Sequence, residues 1–355
     1  MRRGLLLPWR VQSRWVHRQP SALASARLFG VAASHSTGTR GTVFYQGESV
    51  PTSIVSTGRV GTYRDGLGSD GTFFGVDPQP VEVQVSNGRG LQLSLDEQGF
   101  RLVDHSWSHI DYYDEQAILS HYYPECESLV CQETGASWAL AFDHNIRSRR
   151  RKAAGEALKG GNAVQEPLLS YGVHNDYTAT SAPMRIRQFA QPPKHNDTIR
   201  QLYGSTPPIS PERTETLLKG RWQFINVWRN IASEPVQRLP LGLCDASSTD
   251  VNDLVVFEIR YSDRVGENYF ARHSTRHRWF YFPEATRNEA VLLKCWDSRG
   301  KGFMDLMPGQ EEQSDINFKV PATFSLHSAF EETASPAEAP DRESIEVRVV
   351  AFFEE

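Results

Sequence analysis

Cysteine is scarce. Four occur among 355 residues (Cys126, Cys131, Cys244 and Cys295), and no two form a CxxC pair. A disulfide-stapled secreted scaffold is therefore excluded, and a reducing, intracellular compartment fits best. Long apolar runs are also missing. Leu5 to Leu7 and Val347 to Phe353 fall far short of the ~18 to 20 residues needed to cross a bilayer, so a soluble protein without a membrane span is expected. Positive charge is not in excess either: 38 Lys and Arg stand against 43 Asp and Glu, for a net charge of -5. A broad basic field for nucleic acid is thus absent, and the expected partner is a small molecule. No glycine-rich loop follows a strand in the way that cradles a nucleotide cofactor.

What is present is ordinary globular material, 39% hydrophobic and 23% charged, enough to fill a sizeable core. The length would allow two domains, although β-barrels with added helices reach it as one. Residues 1–47 stand apart. Arg2, Arg3, Arg10, Arg14, Arg18, Arg27 and Arg40 all precede the first acid, Glu48. That composition matches either an organellar targeting segment or a disordered basic tail, leaving 48–355 as a single domain in the cytoplasm or the mitochondrion.

Alternating apolar and polar residues across Val81 to Leu95, broken at Asn87-Gly88, predict a hairpin. Asp111 to Tyr123 is spaced for a short helix with acids in its first turn. Strands are predicted at Ser137 to Phe142, Leu168 to Val173, Trp222 to Trp228, Leu254 to Tyr261, Trp279 to Phe282, Ala290 to Trp296 and Ile345 to Phe353. The basic run Arg147 to Lys152 has no interleaved aromatics and reads as a solvated loop. Strands joined by irregular connections at 204–213, 299–321 and 331–341 favour a mainly β fold with flanking helices around a jelly-roll core.

Two imidazoles and one carboxylate on one face are what a mononuclear iron(II) oxygenase requires. His-x-Asp on a strand provides two of them, because residues i and i+2 share a side. Eleven His and 43 acids give about one such match by chance, yet three occur: His109-Ile-Asp111, His174-Asn-Asp176 and His195-Asn-Asp197. The first enters a helix start and the third follows Pro192-Pro193 in a turn, whereas His174 and Asp176 close an apolar strand. The third ligand is expected at His327, in TFSLHSAF, with His277, in RHRWFYF, as the alternative. A 2-oxoglutarate co-substrate leaves a free carboxylate that calls for a guanidinium. Arg342, Ser344 and Arg348 share parity along RESIEVR, and the spacing does not choose between the two arginines.

At these residues the chain resembles the fungal hydroxylase/desaturase family typified by AsaB, with gibberellin desaturase-like and CmcJ-like members. The resemblance rests on GFRLVDHSWSHIDYYDE, TGASWALAFDHNIR, VHNDYT, NVWR, PLGLCDA, HRWFYFP, LLKCWDS, and HSAF with RESIEVR, and it covers about residues 80–355. It implies a double-stranded β-helix. It also implies an oxidation driven by iron(II), 2-oxoglutarate and oxygen on a specialised-metabolite substrate. The segments 148–165 and 299–323 look like insertions against the family pattern. Asn226, Trp228, Arg229, His277 and Tyr281 are candidates for lining the substrate pocket. Lys294 either reaches an anionic substrate group or snorkels to water. Two other readings compete: a jelly-roll binder without catalysis, and a methyltransferase, a label attached to some CmcJ-like proteins.

Overall fold

The structure is a computed structural model that describes residues 38–354, apart from 65–69, 108–109, 157–163, 166, 168–171 and 301–320. Its strands form two sheets, of eleven and five strands. The smaller is antiparallel throughout and runs Phe100–Asp104, Glu289–Asp297, Arg221–Asn230, Glu343–Phe353, Trp138–Ser148. The larger runs Glu331–Glu332, Thr39–Gln46, Pro78–Asn87, Trp279–Tyr281, Leu241–Cys244, His327–Ala329, His174–Asn175, Val265–Ala271, Leu254–Arg260, Gly61–Arg64, Asp70–Phe74. Neighbouring strands come from distant parts of the chain, as in a jelly roll rather than a meander. Strand Thr39–Gln46 lies within the first 47 residues, so the folded part begins before Glu48.

Strand alternation builds two cores. Along Arg221–Asn230, Trp222, Phe224 and Trp228 join Val43, Val85 and Trp279 of the larger sheet in one apolar cluster. The intervening Ile225 and Val227 join Tyr122, Leu129 and Val130 of a helix on the other face. Burying each of these large side chains contributes on the order of 1.5 to 3 kcal/mol. The covering helix starts at Glu115, capped by Asp114, whose side chain accepts from the Gln116 and Ala117 amides. It passes through a π turn at Ile118–Tyr122 and continues as Tyr123–Thr134. Gly135, at φ +75°, ends it by donating its amide to Cys131 O at 2.9 Å. The helix therefore runs well past Tyr123, because Leu129 and Val130 prolong its apolar face.

Other expectations need correction. The hairpin over 81–95 does not form. Pro78–Asn87 pairs antiparallel with Thr39–Gln46 on one side and parallel with Trp279–Tyr281 on the other, so no edge is left for Leu91 to Leu95. The basic run is not all loop: Arg149–Ala153 is a short helix whose N-cap, Ser148, accepts from the Arg151 amide. The connection at 204–213 gives way at its end to a helix, Pro211–Lys219, and a further helix, Ser181–Gln188, forms where no element was expected. His109 lies outside the described residues, as do most of the strand expected at Leu168 to Val173 and much of both candidate insertions. Lys294 does not snorkel to water and is not among the cavity-lining residues. It is fully buried and donates to Asp96 and Asp297, each at 2.9 Å, while Arg221 reaches Asp297 at 2.7 Å. No helix among the described residues is long and apolar enough to cross a membrane.

Candidate metal and co-substrate site

Three adjacent strands of the larger sheet create the site. His174 is paired with His327 on one side and Phe270 on the other. Directly opposed residues on antiparallel strands project from the same face. The two imidazoles consequently meet, with ring centroids 4.4 Å apart and planes at 51°. Asp176 follows at i+2, with its Oδ1 3.8 Å from His174 Nε2. Between them, Asn175 points the other way and anchors the turn, donating to Tyr177 O at 2.7 Å and Cys295 O at 3.0 Å. One donor atom from each of His174, Asp176 and His327 lies within 4.8 Å of the others.

The hydrogen bonds around these groups suit metal binding. His174 Nδ1 donates to Gly172 O at 2.9 Å and His327 Nδ1 to Ser325 O at 3.3 Å, which leaves the Nε2 lone pair of each ring available to a metal. Burial first, and then the neighbouring His327, lower the His174 pKa to about 3, so the ring is neutral as a ligand must be. Burial opposes ionisation of Asp176. Arg348, with His327, His174 and an Asn226 hydrogen bond, outweighs it and holds the carboxyl below its usual range. Asp176 Oδ2 accepts from Asn226 Nδ2 at 2.8 Å and Arg348 Nε at 3.1 Å. The set of two imidazoles and one carboxylate, with the carboxylate oriented from behind, fits iron(II) with open coordination positions.

The triad opens into a cavity of about 1060 Å³, lined also by Trp228, Arg342, Ser344 and Arg348. The arginines differ. Arg348 is engaged by Asp176 and by Asp143 Oδ2 at 2.8 Å. Buried Arg342 donates through Nη1 to Leu239 O and stacks 5.8 Å over Trp228, but its Nε has no hydrogen-bond partner among the described residues. Burial first, then repulsion from Arg147, lower its pKa to about 9, so it is still charged at neutral pH and suits an added anion.

The other sequence candidates sit elsewhere. Asn226 is behind Asp176 rather than in the lining. Arg229 alternates to the opposite face of its strand, donating to Tyr122 Oη at 2.9 Å, His105 O at 2.8 Å and Arg287 O at 2.6 Å. His277 is enclosed between Tyr45 Oη at 2.8 Å and Asp253 Oδ2 at 3.3 Å. Tyr281 donates to Glu332 at 3.2 Å and is not among the lining residues. Asp143, in the AFDHN strand, went unnoticed in the sequence, because nothing local marks it as the carboxylate that braces Arg348.

A family model described as "Oxidoreductase/YMDC permease-like domain" matches residues 61–352. The chain belongs to this family. Among curated relatives of this oxidoreductase-family chain, "Uncharacterized protein in dcmA 3'region" of Methylophilus leisingeri is 32% identical over 53% of this chain and 89% of that protein. "Hydroxylase/desaturase efuI" of Hormonema carpetanum is 28% identical over 80% of this chain and 87% of that protein. "Alpha-ketoglutarate-dependent dioxygenase phiK" of a fungal species is 26% identical over 76% and 83%. Among solved structures, the iron and alpha-ketoglutarate-dependent endoperoxidase NvfI superposes with a TM-score of 0.64 at 21% identity, over 90% of this chain and 99% of that one. The jelly-roll fold is thus shared.

Proposed function

We propose that this oxidoreductase-family chain is an iron(II)- and 2-oxoglutarate-dependent oxygenase that hydroxylates or desaturates a small specialised-metabolite substrate. The observation that carries the reading is the convergence of His174, Asp176 and His327 within 4.8 Å, with both histidine Nδ1 atoms turned to backbone carbonyls. The curated relatives named as hydroxylase/desaturase and as alpha-ketoglutarate-dependent dioxygenase support it.

On this reading His174, Asp176 and His327 hold the metal on one face. Iron bound there, with 2-oxoglutarate and oxygen, supplies the oxidising power to remove hydrogen from carbon, with succinate and carbon dioxide as co-products. Arg342, whose Nε is unpartnered and which has Ser344 on the same wall, takes the distal carboxylate of 2-oxoglutarate. Arg348 and Asn226 fix the rotamer and charge of Asp176 from behind. Phe142, Trp228, Leu241 and Ile259 wall the cavity, where they orient the target carbon and exclude water. Free cysteines and the acid-free N-terminal stretch support a reducing, cytoplasmic or mitochondrial setting.

The test is an anaerobic titration with iron(II) and 2-oxoglutarate, following the metal-to-ligand absorption band. Wild type and His277→Ala should develop it, and His174→Ala, Asp176→Ala and His327→Ala should not. Equal behaviour of all five proteins would sink the assignment.

A further inference from the structure

His195-Asn196-Asp197 repeats the His-x-Asp spacing in a turn and has no part in the triad, yet all three residues line the same cavity. The turn holds two arginines there. Arg185, on helix Ser181–Gln188, has Nη1 3.5 Å from Asp197 Oδ1, and Arg264, just before strand Val265–Ala271, has Nη2 3.7 Å from the same oxygen. The other oxygen, Oδ2, accepts from the Lys194 amide at 2.9 Å. One carboxylate oxygen therefore faces two guanidiniums, both farther than a direct hydrogen bond; Asp263 also reaches Arg264 at 3.3 Å but is shared with Lys194 Nζ at 2.7 Å, so three cations stand against two carboxylates.

The pair is preorganised. Arg185 lies 5.1 Å over Phe142 and 4.9 Å over Phe189, and Nη1 donates to Gln188 at 3.0 Å. Arg264 lies 4.2 Å over Tyr261, and Nη1 donates to Asn196 Oδ1 at 3.2 Å and reaches Asp263 at 3.3 Å. The supporting elements are tied together, since Ser181 Oγ donates to Glu267 O at 2.8 Å and Thr178 Oγ1 to the Glu267 carboxylate at 2.7 Å. Both arginines are largely withdrawn from solvent, at 17% and 16% side-chain exposure. Stacked, partly desolvated guanidiniums that share their two carboxylates with a third cation favour an added oxyanion. Around them, Phe73, Met184, Ile259 and Val265 give the cavity an apolar surface. Its volume of about 1060 Å³ leaves room for a drug-sized skeleton beside a co-substrate.

We infer that the substrate is an amphiphilic anion, an apolar skeleton bearing one oxyanion such as a carboxylate, whose charged end is seated between Arg185 and Arg264. This names the substrate class for the oxygenase reading and rests on it. Asn196 and Asp197 position the two guanidiniums, and Asp197 competes with the substrate for them.

Two fluorescent probes of one ring system test it: 1-anilinonaphthalene-8-sulfonate, an anion, and N-phenyl-1-naphthylamine, which lacks the sulfonate. Binding is measured on the full chain, alone and with iron(II) and saturating 2-oxoglutarate under argon, so that Arg342 is occupied in the second arm. Wild type should prefer the anion by roughly tenfold to a hundredfold, the value of one charge-assisted hydrogen bond. Arg185→Gln with Arg264→Gln should remove that preference without weakening the neutral probe. Asp197→Asn should strengthen the anion's binding, which loss of a merely structural ion pair would not do. Equal binding of both probes by wild type, loss of the preference when 2-oxoglutarate is present, or weaker anion binding by Asp197→Asn would each overturn the inference. The iron titration fails or succeeds separately: an anion preference without an iron band removes the oxygenase reading and leaves the anion seat, and the converse removes only the seat.

Discussion

Arg348 donates through Nε to Asp176 Oδ2 at 3.1 Å, so the cation nearest that carboxylate is already spent on it. Its Nη1 is held by Asp143 at 2.8 Å, and Asp143 is fixed in turn by Thr198 Oγ1 at 2.9 Å. This chain leaves Arg348 bracing the triad and Arg342 as the arginine with donor capacity to spare.

Arg348→Gln should consequently weaken metal binding by roughly tenfold to a hundredfold, the usual cost of losing a group that orients a ligand. Calorimetric titration with iron(II) or manganese(II) checks this. An unchanged affinity would show that Asp176 does not depend on Arg348.

Arg342→Gln should do the reverse. The KM for 2-oxoglutarate should rise by roughly tenfold to a hundredfold, as expected for one charge-assisted contact, while metal affinity stays near wild type. Steady-state succinate release at varied 2-oxoglutarate reads the first quantity. If Arg348→Gln gives the larger KM effect, the two roles are exchanged.

His144 predicts a pH effect away from the triad. It is buried, and its Nδ1 shares a hydrogen bond with Tyr123 Oη at 2.9 Å. Burial, aided by Arg348 and opposed by Asp143, lowers its pKa to about 4. The unfolded state takes up its proton near pH 6.5 and the folded state only near 4, so this contribution is full above 6.5 and is lost as pH falls to 4. The shift corresponds to roughly 3 kcal/mol. Glu127, raised to about 7 by burial against a hydrogen bond from the Ala141 amide, acts oppositely: its contribution is full below about 4.5 and is lost as pH rises through 7. The quantity to measure is therefore the difference between wild type and His144→Gln in urea melts from pH 7 to 4. It should shrink by about 3 kcal/mol, and a constant difference would contradict the buried neutral imidazole.

Lys294→Met should destabilise the fold by about 3 kcal/mol or more, because Asp297 would keep a buried charge with Arg221 alone to balance it. Chemical denaturation reads the loss. Adding Asp297→Asn should restore part of it, whereas a purely additive double variant would argue against coupling between the two groups.

Much of the candidate site was legible in particular residues. His174 and Asp176 could be chosen from three His-x-Asp copies because only theirs closes an apolar segment. Ser344 and Arg348 could be placed on one face because strand parity is local. Parity also explains Arg229: Asn226 and Trp228 face inward, so the next residue had to face the covering helix, where its guanidinium meets backbone carbonyls. The lost hairpin shows the limit. Alternation across 81–95 is a property of the segment, but whether a strand gains its neighbour depends on which edge is still open, and both were taken by distant strands.

The sequence by itself determined the donor types, the parity of the cavity-facing wall and the mainly β character, since each follows from neighbours within a few residues. Tertiary structure decided the rest. It set His327 across from His174 through strand pairing over a long chain separation, assigned Arg348 to Asp176 and left Arg342 with an open donor. It also turned the discarded His195-Asn196-Asp197 into a clasp for two arginines. The physical reason is that coordination and ion pairing depend on distances of a few ångströms, and local periodicity carries no information about which remote side chain will fill them.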